Sequence, residues 1–364
     1  MPSKAQSRRE SAILVTYPNR FTLEEAKGLV EASNRTVDGV FTQKYLNHSQ
    51  YGIGAGKAEE IKLSVAEHKS DLVVIDEHLT SKQMYNLEKL TGVKVIDRER
   101  LILDIFYSRA TTTEAKLQIE LAEIQYEMPR VRENAKMSSG GERAGKGGMG
   151  EYIVDVRFRD MKRRMSFVKD KLADAQRRRE LYHQQRQKTG MPIVSLVGYT
   201  SSGKTTLFNL LTGKEKQTAS SLFTTLSTIS GLLKVEDHEI LTTDTVGFIS
   251  RLPTYMIDAF KSTLEESLGA DLILLLIDAS EDLESIRIKF TACKQVLGEL
   301  GADMTNVVTV FTKRDLVASD EIIASIAMDL AVSDPVTISS SSGYGIRNLK
   351  KLILQRIGNL QTTK

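Results

Sequence analysis

The eight residues GYTSSGKT, Gly198 to Thr205, limit what this chain can fold into more than any other stretch. They satisfy G-x-x-x-x-G-K-[ST], and they stand where that pattern has meaning, after the apolar run PIVSLV and at the opening of a helical segment over 203–212. A strand that feeds a glycine loop and then a helix aims backbone amides and the helix's partial positive charge at one point, which suits a phosphate. The backbone of Gly198, Tyr199, Thr200, Ser201, Ser202 and Gly203 would wrap the phosphates. Lys204 would reach the β- and γ-phosphates, and the Thr205 hydroxyl would ligate Mg²⁺.

The downstream pattern supplies the rest of such a site. A two-stranded section, GLLKVED-H-EILTTDTV, suggests antiparallel pairing with a tight turn near Asp237–His238. A helix over 254–268, the strand LILLLID, a helix over about 281–300, the strand NVVTVFTK, another helix, the strand PVTIS and a last helix from Gly345 follow. One antiparallel strand in an otherwise parallel sheet is the Ras-like G-domain pattern.

Asp244 ends an apolar strand, where a carboxylate can hold Mg²⁺ through water. The segment Asp244, Thr245, Val246, Gly247 forms D-x-x-G, and Gly247 allows the backbone close to a γ-phosphate. The next residue in Ras-like GTPases is a glutamine that orients the attacking water. Here it is Phe248, which has no hydrogen-bonding group. Lys204, Gly247 and this hydrophobic replacement are therefore the candidate catalytic positions.

The run Thr312, Lys313, Arg314, Asp315 stands where base-reading loops carry N-K-x-D. Asp315 can accept from guanine N1–H and N2–H₂ and would repel adenine. Thr312 replaces the asparagine, so affinity is expected to suffer. Ser339, Ser340 and Ser341 follow the next strand in place of an S-A-K loop. The switch segment SLFTTLSTISG contains several threonines that could close over Mg²⁺, and spacing alone does not choose among them.

The first hundred residues are a different unit. AILVTY, VDGVF, DLVVID and VKVID each precede an amphipathic helix, and four βα units imply a small parallel sheet. The middle changes period. Leu117, Leu121, Ile124, Met128 and Val131 form one heptad seam; Phe158, Met161, Met165, Val168, Leu172 and Ala175 form another. Between them lies SSGGERAGKGGMGE, with six glycines. The expectation is an antiparallel helical hairpin with a glycine-rich tip, its first arm kinked or ended at Pro129. The fold class is then α/β: an N-terminal α/β domain over 1–110, a hairpin over 111–189 and a P-loop G domain over 190–364.

Charge marks the second arm. Residues 157–188 carry twelve basic and four acidic side chains, while the whole chain is only +3. A basic helix in an otherwise mildly acidic chain points to a polyanionic partner. Arg157, Arg159, Lys162, Arg163, Arg164, Arg177, Arg178 and Arg179 are the candidate RNA contacts. The single Cys293 excludes an internal disulfide. The longest apolar run, LILLLI, is far below the roughly 20 residues that span a bilayer. The expectation is a cytoplasmic monomer with no membrane span, peripheral membrane association staying open.

GYTSSGKTTLFNLLTG, LFTTL, DTVGFISRLP and the basic hairpin before them resemble the HflX family of translation-associated GTPases, over most of the chain. YGIGAGKAEEI, 51–61, resembles that family's N-terminal domain; physically it is a turn that opens a helix. The resemblance implies that Phe223, Thr224, Thr225, Leu226 and Ser227 border the nucleotide and that Thr225 ligates Mg²⁺. It implies GTP and GDP as ligands, slow GTP hydrolysis stimulated by the ribosome, and binding of the large subunit and its RNA. It further implies ribosome splitting or rescue, or assembly, under stress. Two departures stand out. Ser201 replaces an asparagine linked to potassium activation, and GEYIVDVRFRD replaces a stretch like GETQLETDRR. The alternatives are a GTPase whose arm binds a protein, and a P-loop ATPase or nucleotide kinase, which the Ras-like order and TKRD disfavour.

Overall fold

The structure is a computed structural model that describes residues 8–139, 147–189, 191–214, 222–223, 229–259 and 269–362. Side chains at 134–139, 147–153, 179–180, 182–189 and 359–362 lie outside that description. The chain divides into two compact units: Met1–Ser108 with Lys116–Leu172, and Arg109–Ala115 with Ala173–Lys364.

In the first unit, four strands alternate with helices: β1 (Ser11–Thr16), α1 (Arg20–Ala32), β2 (Thr36–Thr42), α2 (Ala55–His68), β3 (Leu72–Ile75), α3 (Ser81–Thr91), β4 (Lys94–Asp97) and α4 (Arg98–Arg109). All pairings are parallel, in the order β2-β1-β3-β4. β1 and β3 are buried along their whole length, so they are continuous apolar runs, while β2 is an edge and alternates. Ile13, Val15, Ile61, Val73, Ile75 and Leu87 share the core. The helices start where local chemistry favours it. Asn19 caps α1, Thr80 and Gln83 form a capping box on α3, and Gly54 precedes α2 in the stretch 51–61.

A buried ionic cluster ties strand ends to helices. Arg98 donates to Asp76 and to Glu25, both at 2.6 Å, and the Thr16 hydroxyl donates to Asp76 at 2.7 Å. A lone buried charge would destabilise the fold by several kcal/mol. Two carboxylates around one guanidinium answer that, and they hold Arg98 in its charged form well above the usual arginine range.

The hairpin is α5 (Thr113–Ser139) and α6 (Gly147–Thr189). Arg132 stacks on Phe158 at 4.0 Å, and Arg164 donates to Glu120 at 2.9 Å, so the arms run antiparallel. Along α6 the described side chains that are not exposed are Val154, Val156 and the seam residues from Phe158 to Ala175. α5 does not end at Pro129 but continues to Ser139, and residues around the proline are anchored. Arg130 donates to Asp97 at 2.7 Å and stacks on Tyr126 at 4.0 Å, which offsets the hydrogen bond a proline forfeits. The glycine-rich tip is also shorter than 138–151, because helix occupies 138–139 and begins again at Gly147; 140–146 lie outside the described residues. α5 buries a second stripe as well, through Gln118, Ala122, Tyr126 and Arg130.

The second unit has a six-stranded sheet in the order β10-β9-β8-β5-β7-β6. Its strands are β5 (Ile193–Gly198), β6 (Ile229–Val235), β7 (His238–Asp244), β8 (Leu272–Asp278), β9 (Val307–Thr312) and β10 (Val336–Thr337). Only β6 against β7 is antiparallel, through a turn at Glu236–Asp237, where Glu236 takes φ of 53°. α7 (Lys204–Thr212), α8 (Leu283–Glu299), α9 (Asp320–Asp329) and α10 (Ile346–Thr362) belong to this unit. Phe208, Leu274, Leu276, Val310 and Ile353 meet in its core. A helical segment starts at 254 and is described to 259, so the expected helix over 254–268 is seen in its first part.

Candidate nucleotide site

β5 sits where the strand order turns, between β8 and β7, and its carboxyl end leads into the phosphate loop. Such switch points are where open α/β sheets bind ligands. Gly198 is required there: a Cβ would stand 2.5 Å from Leu276 O and 2.8 Å from Ser202 Oγ. The loop ends at Gly203, and Lys204 opens α7.

Lys204 is buried and donates to Gly198 O at 3.0 Å and Tyr199 O at 2.6 Å. Burial lowers its pKa to about 8, against the nearby Asp244 carboxylate, which raises it. A polyphosphate would add negative charge beside this ammonium and favour its charged form. The hydroxyls of Thr200 and Ser202 are buried in the same loop with no hydrogen-bond partner, which fits a polar ligand at this spot.

Thr205 Oγ1 donates to Asp244 Oδ2 at 2.9 Å. A hydroxyl and a carboxylate, both hard oxygen donors, thus stand together beside the phosphate loop. Among the described residues no group of three or more His, Cys, Asp or Glu could hold a metal. The Thr205 hydroxyl and Asp244 carboxylate, as hard oxygen donors, fit Mg²⁺, which keeps waters and shares phosphate oxygens. When bound, that ion would neutralise charge building on the phosphates.

Gly247 lies against the phosphate loop. A Cβ there would be 2.9 Å from Thr200 Cγ2 and 3.0 Å from Lys204 Nζ. Thr245 turns its hydroxyl to Leu196 O at 2.9 Å, so its side chain serves the sheet; Val246 is buried. Phe248 is 4% exposed and packed inward. Phe223 is buried, whereas Thr224, Thr225, Leu226 and Ser227 lie outside the described residues.

The base-reading loop meets the phosphate loop through Thr312. Its hydroxyl is within hydrogen-bond distance of Ser202 O at 2.9 Å and of Ile277 O at 3.2 Å. Lys313 pairs with Asp278 at 2.5 Å, a residue the sequence analysis passed over although it ends the apolar strand LILLLID. Asp315 accepts from Ser341 at 2.9 Å, and the Ser339 and Ser341 hydroxyls hold its carboxyl below the usual range. Arg314 turns its side chain to Asp320 at 2.7 Å and to Val317 O at 2.6 Å. Ser339 is fully buried and Ser340 partly so.

On α6, Arg157, Arg159, Lys162, Arg163, Arg164, Arg177 and Arg178 are all exposed; the Arg179 side chain lies outside the description. They are not equally available. Arg164 is engaged by Glu120 across the hairpin, and Arg177 by Asp174 at 2.9 Å. Arg163 has, among the described residues, a 3.7 Å contact with Asp160, and its side chain is 80% exposed. Among the described residues no helix is long and apolar enough to cross a membrane.

Comparison with known proteins agrees over nearly the whole length. Residues 20–107 match the family described as GTP-binding GTPase N-terminal, 109–186 the GTP-binding GTPase Middle Region, and 193–313 the 50S ribosome-binding GTPase family. The chain is 37% identical to GTPase HflX of Methanocaldococcus jannaschii over 349 residues, 94% of this chain and 86% of that one. It is 39% identical to GTPase HflX of Thermococcus kodakarensis over 332 residues, 89% of this chain and 75% of that one. A GTP-binding protein of Sulfolobus solfataricus, solved with GDP, aligns with a TM-score of 0.51 at 25% identity, over 96% of this chain and 99% of that one. The crystal structure of the SsGBP–GDP complex aligns at 0.55 and 25% identity, over the same shares of both chains.

Proposed function

The chain belongs to the HflX family of GTPases, and from that premise we propose that it docks on the large ribosomal subunit through the basic face of α6. It would act there in ribosome splitting or rescue, or in assembly, under stress. It hydrolyses GTP and belongs among the 50S ribosome-binding GTPases. The observation that carries the docking reading is on α6. Its seam side chains are covered while Arg157, Arg159, Lys162 and Arg163 face outward. Lysine and arginine rows of this kind neutralise nucleic-acid phosphates.

In the proposed site, Thr205 and, through water, Asp244 would hold Mg²⁺; Thr225, the third ligand that the family resemblance implies, lies outside the described residues. Lys204 neutralises the phosphates, the Gly247 N–H meets the γ-phosphate, and Asp315 selects guanine. Phe248 offers nothing to the attacking water. Since phosphoryl transfer depends on positioning and electrostatics, turnover by the isolated chain is slow and the ribosome completes the site. The three-part division at 110 and 189 follows the same reading.

GTP turnover measured with and without purified large subunits tests this. Stimulation is expected, and an unchanged rate counts against it. Charge reversal at Arg157, Arg159 and Arg163 should abolish co-sedimentation with the subunit. Arg164 is the poorer target, because reversing it also breaks its pair with Glu120. A second reading, a protein partner on the arm, gains support if captured complexes survive nuclease.

A further inference from the structure

The segment after Asp244 is clipped to the phosphate loop. Phe248 N–H donates to Gly198 O at 3.0 Å, and Thr200 N–H donates to Phe248 O at 2.8 Å. These bonds make a short parallel bridge between Tyr199 and Phe248. Two residues on, Ser250 N–H donates to the Tyr199 hydroxyl oxygen at 2.5 Å. Tyr199 itself is held firmly. It is 3% exposed, its ring lies 5.1 Å from the Lys289 ammonium, and Lys289 is anchored by Glu281 at 2.5 Å. The Tyr199 carbonyl accepts from Lys204. One residue therefore touches both the lysine that meets phosphate and the loop that senses it.

We propose that Tyr199 is a positioning residue for GTP hydrolysis, its hydroxyl holding Ser250 so that the Gly247 N–H stays aimed at the γ-phosphate. The proposal rests on the reading of Lys204 and Gly247 as the pair that meets that group. A γ-phosphate oxygen has to lie within about 3 Å of both donors. Gly247 already stands close enough to Lys204 that an added Cβ would come within 3.0 Å of its Nζ. A shift of about 1 Å in the segment would break one of the two contacts. Phe248 brings no polar side chain, so the backbone at 247 is what this segment offers to chemistry. The fold fixes that backbone on its far side, by the bridge at 248 and the tyrosine at 250. GDP carries no γ-phosphate, so the clip matters for the triphosphate alone. The Tyr199 backbone belongs to the phosphate loop; its hydroxyl does not.

Tyr199→Phe removes the hydroxyl and keeps the ring under Lys289. Affinities of the full chain for GDP and for a non-hydrolysable GTP analogue are measured with Mg²⁺, together with kcat and KM for GTP. Loss of one hydrogen bond predicts about fivefold weaker analogue binding. Looser alignment predicts about tenfold lower kcat. GDP affinity is expected to move by less than about twofold, since no γ contact is involved. Tyr199→Leu, which also removes the ring, should weaken both nucleotides. Equal weakening of GDP and analogue by Tyr199→Phe, or no change in either, overturns the proposal. Failure of the unmodified chain to bind either nucleotide overturns the underlying site reading, a separate and distinguishable result.

Discussion

Thr312 Oγ1 lies 2.9 Å from Ser202 O and so ties the base-reading loop to the phosphate loop. The position usually holds an asparagine, and the threonine keeps a donor there. Thr312 thus links two loops of the proposed nucleotide site.

Replacing that hydroxyl tests the link. Thr312→Val keeps the shape and removes the donor from a fully enclosed site. Leaving Ser202 O without its partner costs about 1–2 kcal/mol. Affinity for GTP and for GDP should fall together, by roughly tenfold. Calorimetric titration checks it, and a variant that binds both nucleotides as before would show the link to be idle.

Ser341 stands where the usual loop carries a lysine, and its hydroxyl donates to Asp315 at 2.9 Å. On the proposed reading of Asp315, an exposed carboxylate that meets two guanine donors gains from being held in one rotamer. Ser341→Ala should weaken GDP binding by about threefold, since a single hydrogen bond to an exposed group contributes modestly. Asp315→Ala, which leaves the guanine donors unmatched, should weaken it by about 100-fold or more. Pyrophosphate binding, which needs no base, should be the same in both variants.

Gly247 tolerates no side chain where it stands. A Cβ would meet Thr200 Cγ2 at 2.9 Å, Lys204 Nζ at 3.0 Å and the Thr200 Cα at 3.0 Å. Gly247→Ala has to push the segment and the phosphate loop apart by a few tenths of an ångström. Single-turnover GTP hydrolysis should drop by about 100-fold, the scale of losing one aligned backbone donor. Circular dichroism should show the fold intact, because only this loop has to move. Hydrolysis at the original rate would place the γ-phosphate contact elsewhere.

The phosphate loop, Asp244 and the four βα units were legible because each depends on local pattern: a glycine spacing, a strand end, a change of period. The hairpin seams were legible for the same reason, and burial along α6 follows them from Phe158 to Ala175. What local pattern could not supply was partnership at a distance. Pro129 reads as a helix stop, and the Arg130–Asp97 bond that helps to anchor α5 beyond it joins residues 33 apart in sequence. Arg164 reads like its neighbours in a basic row until Glu120, on the other arm, engages it. Phe248 reads as a missing glutamine, and nothing local announces that its backbone is bonded to Gly198 and Thr200 of the phosphate loop.

His78 gives the first unit a pH dependence whose sign can be worked out. Its Nδ1 lies 3.1 Å from Glu99 Oε1. That hydrogen bond raises the imidazole pKa above its ordinary 6.5, against partial burial, which lowers it. Asp97 nearby adds to the rise, and Arg130 opposes it. Because the folded pKa exceeds the unfolded one, folding binds the proton more tightly. The stabilisation is complete below the unfolded value of 6.5 and is lost as pH rises through the folded value. The His78 side chain is 53% exposed, so water screens the pair and the effect is small. His78→Gln removes the titration. The gap in melting temperature between the original chain and His78→Gln should therefore widen as pH falls from about 8 to about 6. It should also shrink at high salt, where exposed pairs are screened. A gap that stays constant across that range would mean that His78 contributes by packing and not by charge.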